Sequence, residues 1–253
     1  MFGMAGETEF DLRFRLLGIP VRVHPIFWLS TGFMVWNDGN LPFVAIGVLS
    51  IFVSILVHEL GHALVIRRYG YPSEIVLYFF CGYATSSHFP FRRAVAVSAA
   101  GPAAGLLLGV LVYLIRSVLP TSLLVEYPLM DYGFRMLLFA GIIVNVLNLI
   151  PCLPLDGGQI MSAVVRHYRI GGVGSSELVL KVSIGVAGAA AAWAAVCNKG
   201  RGDFFPAWLY MPFTEDAQRL LTSLQPDPQF MMIFMGYLCV SSVLELNRNQ
   251  SWR

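Results

Sequence analysis

Residues 41–66 read LPFVAIGVLSIFVSILVHELGHALVI. At 1.5 Å per residue, a helix over this run is about 39 Å long, which exceeds the ~30 Å hydrocarbon core of a bilayer and crosses it with some tilt. Two histidines and a glutamate nevertheless lie in its second half, in a chain that is 57% hydrophobic and only 13% charged. Composition of that kind belongs to a membrane protein. The net charge of +2 and the absence of basic runs exclude a nucleic-acid surface.

Working outward, hydropathy marks about six spans: His24 to Trp36, Leu41 to Ile66, Ala94 to Leu119, Phe134 to Val165, Val179 to Cys197 and Phe230 to Leu246. The first is short, and the fourth is interrupted by Pro151, Pro154, Gly157 and Gly158. With the N-terminus in the cytoplasm, eleven of the seventeen Lys and Arg residues fall inside, five outside, and Lys181 is ambiguous. The positive-inside rule favours that orientation. Residues 1–25 lack the apolar core and cleavage site of a signal peptide. The expected fold is an all-α polytopic membrane protein, read as one membrane-embedded domain over residues 1–253. Its motif-bearing core covers about 21–166 and its C-terminal spans about 179–246.

Within the opening stretch, His58 and His62 stand one turn apart on one helix face, where two imidazoles bind a single metal ion. Glu59 beside them faces the water that such an ion activates. Left without partners in hydrocarbon, these groups cost several kcal/mol each, so a mere pair of helix histidines is the weaker reading. Catalytic zinc takes a third protein ligand. Glu74 follows His62 too closely, Glu126 and Asp131 belong to an outside loop, and Asp156 remains as the one carboxylate inside a span. His58 precedes Arg67 by nine residues and Asp156 precedes Arg166 by ten, which places both about 14 Å below the inner boundary.

HELGH at 58–62, the Ala100-Gly101-Pro102 motif and NLIPCLPLDGG at 148–158 together resemble the site-2 protease family of intramembrane zinc metalloproteases. The resemblance runs from the N-terminal arm to about residue 166. It implies that His58, His62 and Asp156 bind one catalytic zinc ion, that Glu59 is the general base and acid, and that Asn148 contacts the substrate backbone. It also implies a short N-terminal β segment, and a small re-entrant β-hairpin over residues 74–89, whose free edge pairs with an unwound substrate strand. Read from its residues alone, that segment fits a surface hairpin equally well, and Asn148 fits a helix–helix hydrogen bond. Two positions depart from the family pattern: Gly105, where the family often has asparagine, and Leu153, where it often has proline. The first leaves a polar contact between helices without its usual residue.

The remaining candidates carry less. His24, His88 and His167 read as interfacial polar residues, and Cys81, Cys152, Cys197 and Cys239 as buried thiols without CxxC spacing. Gly101, Gly105 and Gly109 repeat every four residues and mark a close helix-packing face. Residues 214–224 look amphipathic, on the outer surface or near a substrate gate. The expected function is proteolysis within or near transmembrane segments of a membrane-protein substrate, in a prokaryotic cell membrane with the site toward the cytoplasm. No sensor module is recognisable, so control falls to a regulatory membrane partner, to prior trimming of the substrate or to the C-terminal third. A metallopeptidase acting on soluble or peripheral peptides, and a zinc-binding transporter or proteolytically silent scaffold, are the alternatives.

Overall fold

The computed structural model describes residues 6–36, 40–79, 81–84, 89–170, 175–200, 202–206, 209 and 215–251. The chain divides into two compact units, Met1–Val146 and Leu147–Arg253.

The first unit opens with strands β1 (Leu12–Leu16) and β2 (Ile19–Val23), which form an antiparallel hairpin in the register Leu12 opposite Val23. Helix α1 (Pro25–Met34) and helix α2 (Leu41–Arg68) follow. Strands β3 (Ile75–Tyr78) and β4 (Cys81–Ala84) form the expected second hairpin, but it does not stand alone. β3 runs parallel to β2, giving one four-stranded sheet in the order β1-β2-β3-β4. The alternation of β2 buries Ile19, Val21 and Val23, which pack with Phe27, Ala63, Ile75 and Leu77 in one core cluster. That cluster holds the sheet against α2 beside His62. Arg67 adds a tether by donating from Nη1 to the Leu17 carbonyl at 2.8 Å.

Helix α3 (Phe91–Val118), the short α4 (Thr121–Glu126) and α5 (Pro128–Leu138) complete the helical framework of this unit. Asp131 accepts from Arg116 at 2.9 Å and from Arg135 at 3.0 Å, fastening the end of α3 to α5. α5 continues through a π-helical turn (Phe139–Val144) into α6 (Asn145–Asn148). The second unit carries α7 (Asp156–His167), α8 (Ser175–Gly200), α9 (Glu215–Ser223) and α10 (Pro228–Ser251). α8 and α10 pack against one another, with Gly188 facing Cys239. The chain between α8 and α10 is fastened by the Gln225 amide, which accepts from Phe205 N–H at 2.9 Å and donates to Phe205 O at 3.0 Å.

Among the described residues, five helices are long and apolar enough to cross a membrane: Leu41–Arg68, Phe91–Ser117, Pro128–Asn148, Ser175–Gly200 and Pro228–Asn249. The protein is a multi-pass membrane protein of mainly helical fold. The stretch expected as the first span forms only the ten-residue α1, about 15 Å long, too short to cross. The stretch expected as the fourth span ends earlier, at Asn148, and resumes at Asp156 as a separate helix.

Candidate functional site

α2 is one unbroken helix, so residues at i and i+4 lie one above the other. His58 and His62 meet edge to face with ring centroids 4.8 Å apart and their Nε2 atoms 3.1 Å apart. Each ring is held from behind. His58 Nδ1 faces Asn145 Oδ1 at 2.7 Å, and His62 Nδ1 faces the Val97 carbonyl at 2.7 Å. Both partners are acceptors, so both Nδ1 atoms carry the proton and donate it. Each Nε2 is then a lone-pair donor to a metal. Two such atoms at 3.1 Å suit a cation between them, because tetrahedral zinc with Zn–N bonds of ~2.0–2.1 Å sets its nitrogen ligands about 3.3 Å apart. Backing of Nδ1 by an oxygen is the usual support of metal-ligating histidine. Glu59 is 5% exposed and His62 8%, so the carboxylate and the imidazole stand in a water-poor setting.

Glycines of α2 and α3 make room for this arrangement. A Cβ on Gly61 would press on the Ala100 carbonyl, one on Gly101 would overlap the His62 ring, and one on Gly105 would overlap the Asn145 amide. At Gly109 the neighbour is Ile142, 2.6 Å from where its Cβ would lie. The four-residue glycine repeat is therefore a close-packing face, as expected, and two of its members also leave the volume that His62 and Asn145 occupy.

Asp156 belongs to the second unit and is the first residue of α7, where a carboxylate interacts favourably with the positive end of the helix. The helical ladder stops at Asn148. Over residues 149–155 the backbone groups find local partners: Cys152 N–H donates to Ile150 O at 2.7 Å, Leu155 N–H to Cys152 O at 2.9 Å, and Leu153 N–H to Ser183 Oγ at 3.0 Å. α7 then folds back on the chain that precedes it. A Cβ on Gly157 would strike the Leu149 carbonyl, and one on Gly158 would lie 2.5 Å from the Cys152 carbonyl group. Asn148 Nδ2 donates to Asp156 Oδ2 at 2.6 Å, fixing the orientation of the carboxylate. This bond lies within one unit and joins the last residue of α6 to the first of α7.

The other candidates take structural places. His24 caps α1, accepting at Nδ1 from Ile26 N–H at 3.1 Å. His167 stacks edge-on against Tyr168 at the end of α7, and His88 lies outside the described residues. Cys152 and Cys197 are buried thiols, and Cys239 is half-buried. The amphipathic segment forms α9 from Glu215, with residue 214 outside the described residues. Sequence reasoning missed the supports: Asn145, the Val97 carbonyl and Ser183. The available signal was Gly105, a gap where a side chain is common.

Comparison with known proteins agrees with these features. The model for peptidase family M50 matches residues 126–190. The chain is 31% identical over 157 residues to the zinc metalloprotease MJ0392 of Methanocaldococcus jannaschii, covering 60% of this chain and 44% of that protein. It is 30% identical over 190 residues to the putative zinc metalloprotease sll0528 of Synechocystis, covering 67% of this chain and 47% of that protein. The chain thus spans under half the length of these relatives. In fold it is similar to the site-2 protease from Methanocaldococcus jannaschii, with a TM-score of 0.50 at 22% identity, over 91% of this chain and 95% of that one. The chain is thus similar to peptidase family M50 over residues 126–190, a stretch that includes NLIPCLPLDGG, and to zinc metalloproteases of whose length it spans under half.

Proposed function

We propose that the protein is an intramembrane zinc metalloprotease, hydrolysing peptide bonds within or near transmembrane segments of other membrane proteins. The observation that carries this reading is the histidine pair, whose hydrogen bonds commit both Nδ1 protons and turn both Nε2 atoms, 3.1 Å apart, into metal donors beside a buried glutamate. In this reading His58, His62 and Asp156 hold one zinc ion, and the two units act together as one membrane-embedded domain over residues 1–253. Zinc so held supplies Lewis acidity toward a water and the scissile carbonyl.

The chain's own residues supply the rest. Glu59 takes a proton from the attacking water and returns it to the departing amine, a role for which its low exposure suits it. Asn148 holds Asp156 in orientation and contacts the substrate backbone. A substrate helix must unwind before water reaches a carbonyl, and the edge of the β3-β4 hairpin receives the extended segment by strand addition. In this reading the site lies toward the cytoplasm of a prokaryotic membrane, an orientation that the distribution of Arg and Lys supports, and a regulatory membrane partner controls entry.

The test is a purified protein in detergent, assayed for zinc and for cleavage of a panel of single-span substrates. Wild type should carry one zinc per chain, and Glu59→Gln should keep the zinc while losing cleavage by about 10²–10⁴-fold. Equal cleavage by the variant, or no cleavage of any substrate by zinc-loaded wild type, would favour the transporter or scaffold. Zinc loss in Asp156→Ala tests the third ligand.

A further inference from the structure

Asn145 is 2% exposed and sits immediately after the π-helical turn. A π-turn adds one residue to the helical circuit. Asn145 bonds back onto it, donating from Nδ2 to Ala140 O at 2.9 Å and to Gly141 O at 3.1 Å. With both amide hydrogens committed there, Oδ1 is forced to the opposite side, where it lies 2.7 Å from His58 Nδ1. The amide occupies the space that any side chain on Gly105 would need.

We propose that Asn145 is a positioning residue for the histidine pair: its amide, aimed by the π-turn, locks His58 in the Nδ1-protonated tautomer and thereby sets the affinity of the site for zinc. This rests on the zinc reading above and adds to it. A neutral imidazole has two tautomers, and only the one protonated at Nδ1 presents its Nε2 lone pair toward His62. Asn145 is buried behind the ring, and an apolar residue in place of its amide would free the ring to change tautomer or turn.

The test compares wild type, Asn145→Leu and Asn145→Asp as full chains in detergent. Leucine fills the volume without an acceptor, whereas aspartate keeps an oxygen for Nδ1. Chelator competition should show the zinc Kd rising about 10–100-fold in the leucine variant and staying within a few-fold of wild type in the aspartate variant. In zinc-free protein labelled with ¹³C,¹⁵N-histidine, the His58 resonances should report the Nδ1-protonated tautomer in wild type and aspartate, and a mixture in leucine. Wild-type zinc affinity in the leucine variant would overturn the assignment, as would equal weakening by both substitutions. If leucine prevents folding, Asn145→Ser, whose oxygen is too short to reach, replaces it and must weaken zinc where aspartate does not. A wild-type protein that binds no zinc would instead sink the zinc reading itself.

Discussion

The two motif-bearing regions present their side chains in opposite ways. HELGH lies in the middle of a 28-residue helix, and its precision comes from outside: Val97 and Asn145 hold the rings, while Gly101 and Gly105 leave space for a ring and an amide. PLDGG lies at the restart of a broken helix, and its precision comes from within. There the turn over residues 149–155 bonds to itself and to Ser183, and Asn148 holds Asp156 across seven intervening residues. An unbroken helix places two ligands by periodicity alone, whereas a lone carboxylate needs a chain that stops, doubles back and restarts. The contrast predicts that the first region is most sensitive to the side chains and spaces that neighbouring elements provide, and the second to the path of its own backbone and the bonds that hold that path.

The largest effect should come from Gly157→Ala. Its Cβ would meet a backbone carbonyl, which cannot swing aside as a side chain does, so the restart of α7 must shift; the expected cost is about 3 kcal/mol, read as a fall in thermal stability in detergent with loss of zinc. Gly101→Ala presses instead on the His62 ring, and should weaken zinc binding while costing about 1–2 kcal/mol of stability. Gly185→Ala is the control: nothing lies within 4 Å of its Cβ, and the change should be neutral or gain up to about 1 kcal/mol from helix propensity. Equal damage by all three would end the distinction between the regions.

Ser183→Ala tests what holds the turn before α7. Its fully buried hydroxyl accepts from Leu153 N–H at 3.0 Å and donates to Val179 O at 2.9 Å. Its loss leaves a buried backbone donor without that partner, at a cost of about 1–3 kcal/mol. Zinc affinity should fall through Asp156 even though Ser183 touches no proposed ligand.

Legibility in the sequence followed the range of the interactions. The long helices were readable because hydropathy and helical period are local: the expected Leu41 to Ile66 and Ala94 to Leu119 correspond to Leu41–Arg68 and Phe91–Val118. The HExxH spacing was readable for the same reason. The four-stranded sheet was not, because pairing Val21 with Ile75 spans the whole of α1 and α2 and leaves no mark in either segment. A short N-terminal β segment and the 74–89 hairpin were expected, but not the sheet that unites them. The amide of Asn145 and the hydroxyl of Ser183 were also hidden, since they act on His58 and Leu153, 87 and 30 positions away. Gly105 showed only that something else fills its place.

The smallest expected effect lies far from either motif. Burial raises the Asp11 carboxyl, but hydrogen bonds from Thr8 and Arg22 outweigh it and hold the group down at about 2, below its usual 3.8. A lowered folded-state pKa contributes stability that is complete above the unfolded value and disappears as pH falls through the folded one. Amide hydrogen exchange in β1, corrected for intrinsic rates, should therefore accelerate between about pH 4 and pH 2. Asp11→Asn should remove the dependence and leave the two motif regions unchanged, whereas an equal acceleration in β3 would point to a general acid effect.

The most direct measurement of the central claim is X-ray absorption at the zinc edge, on purified wild-type protein and on Asp156→Ala. The account predicts a first shell with two imidazole nitrogens and carboxylate oxygen at about 2.0–2.2 Å, with the zinc content falling sharply when Asp156 is replaced. A sulfur shell near about 2.3 Å, or the same shell and the same zinc content in both proteins, would contradict it.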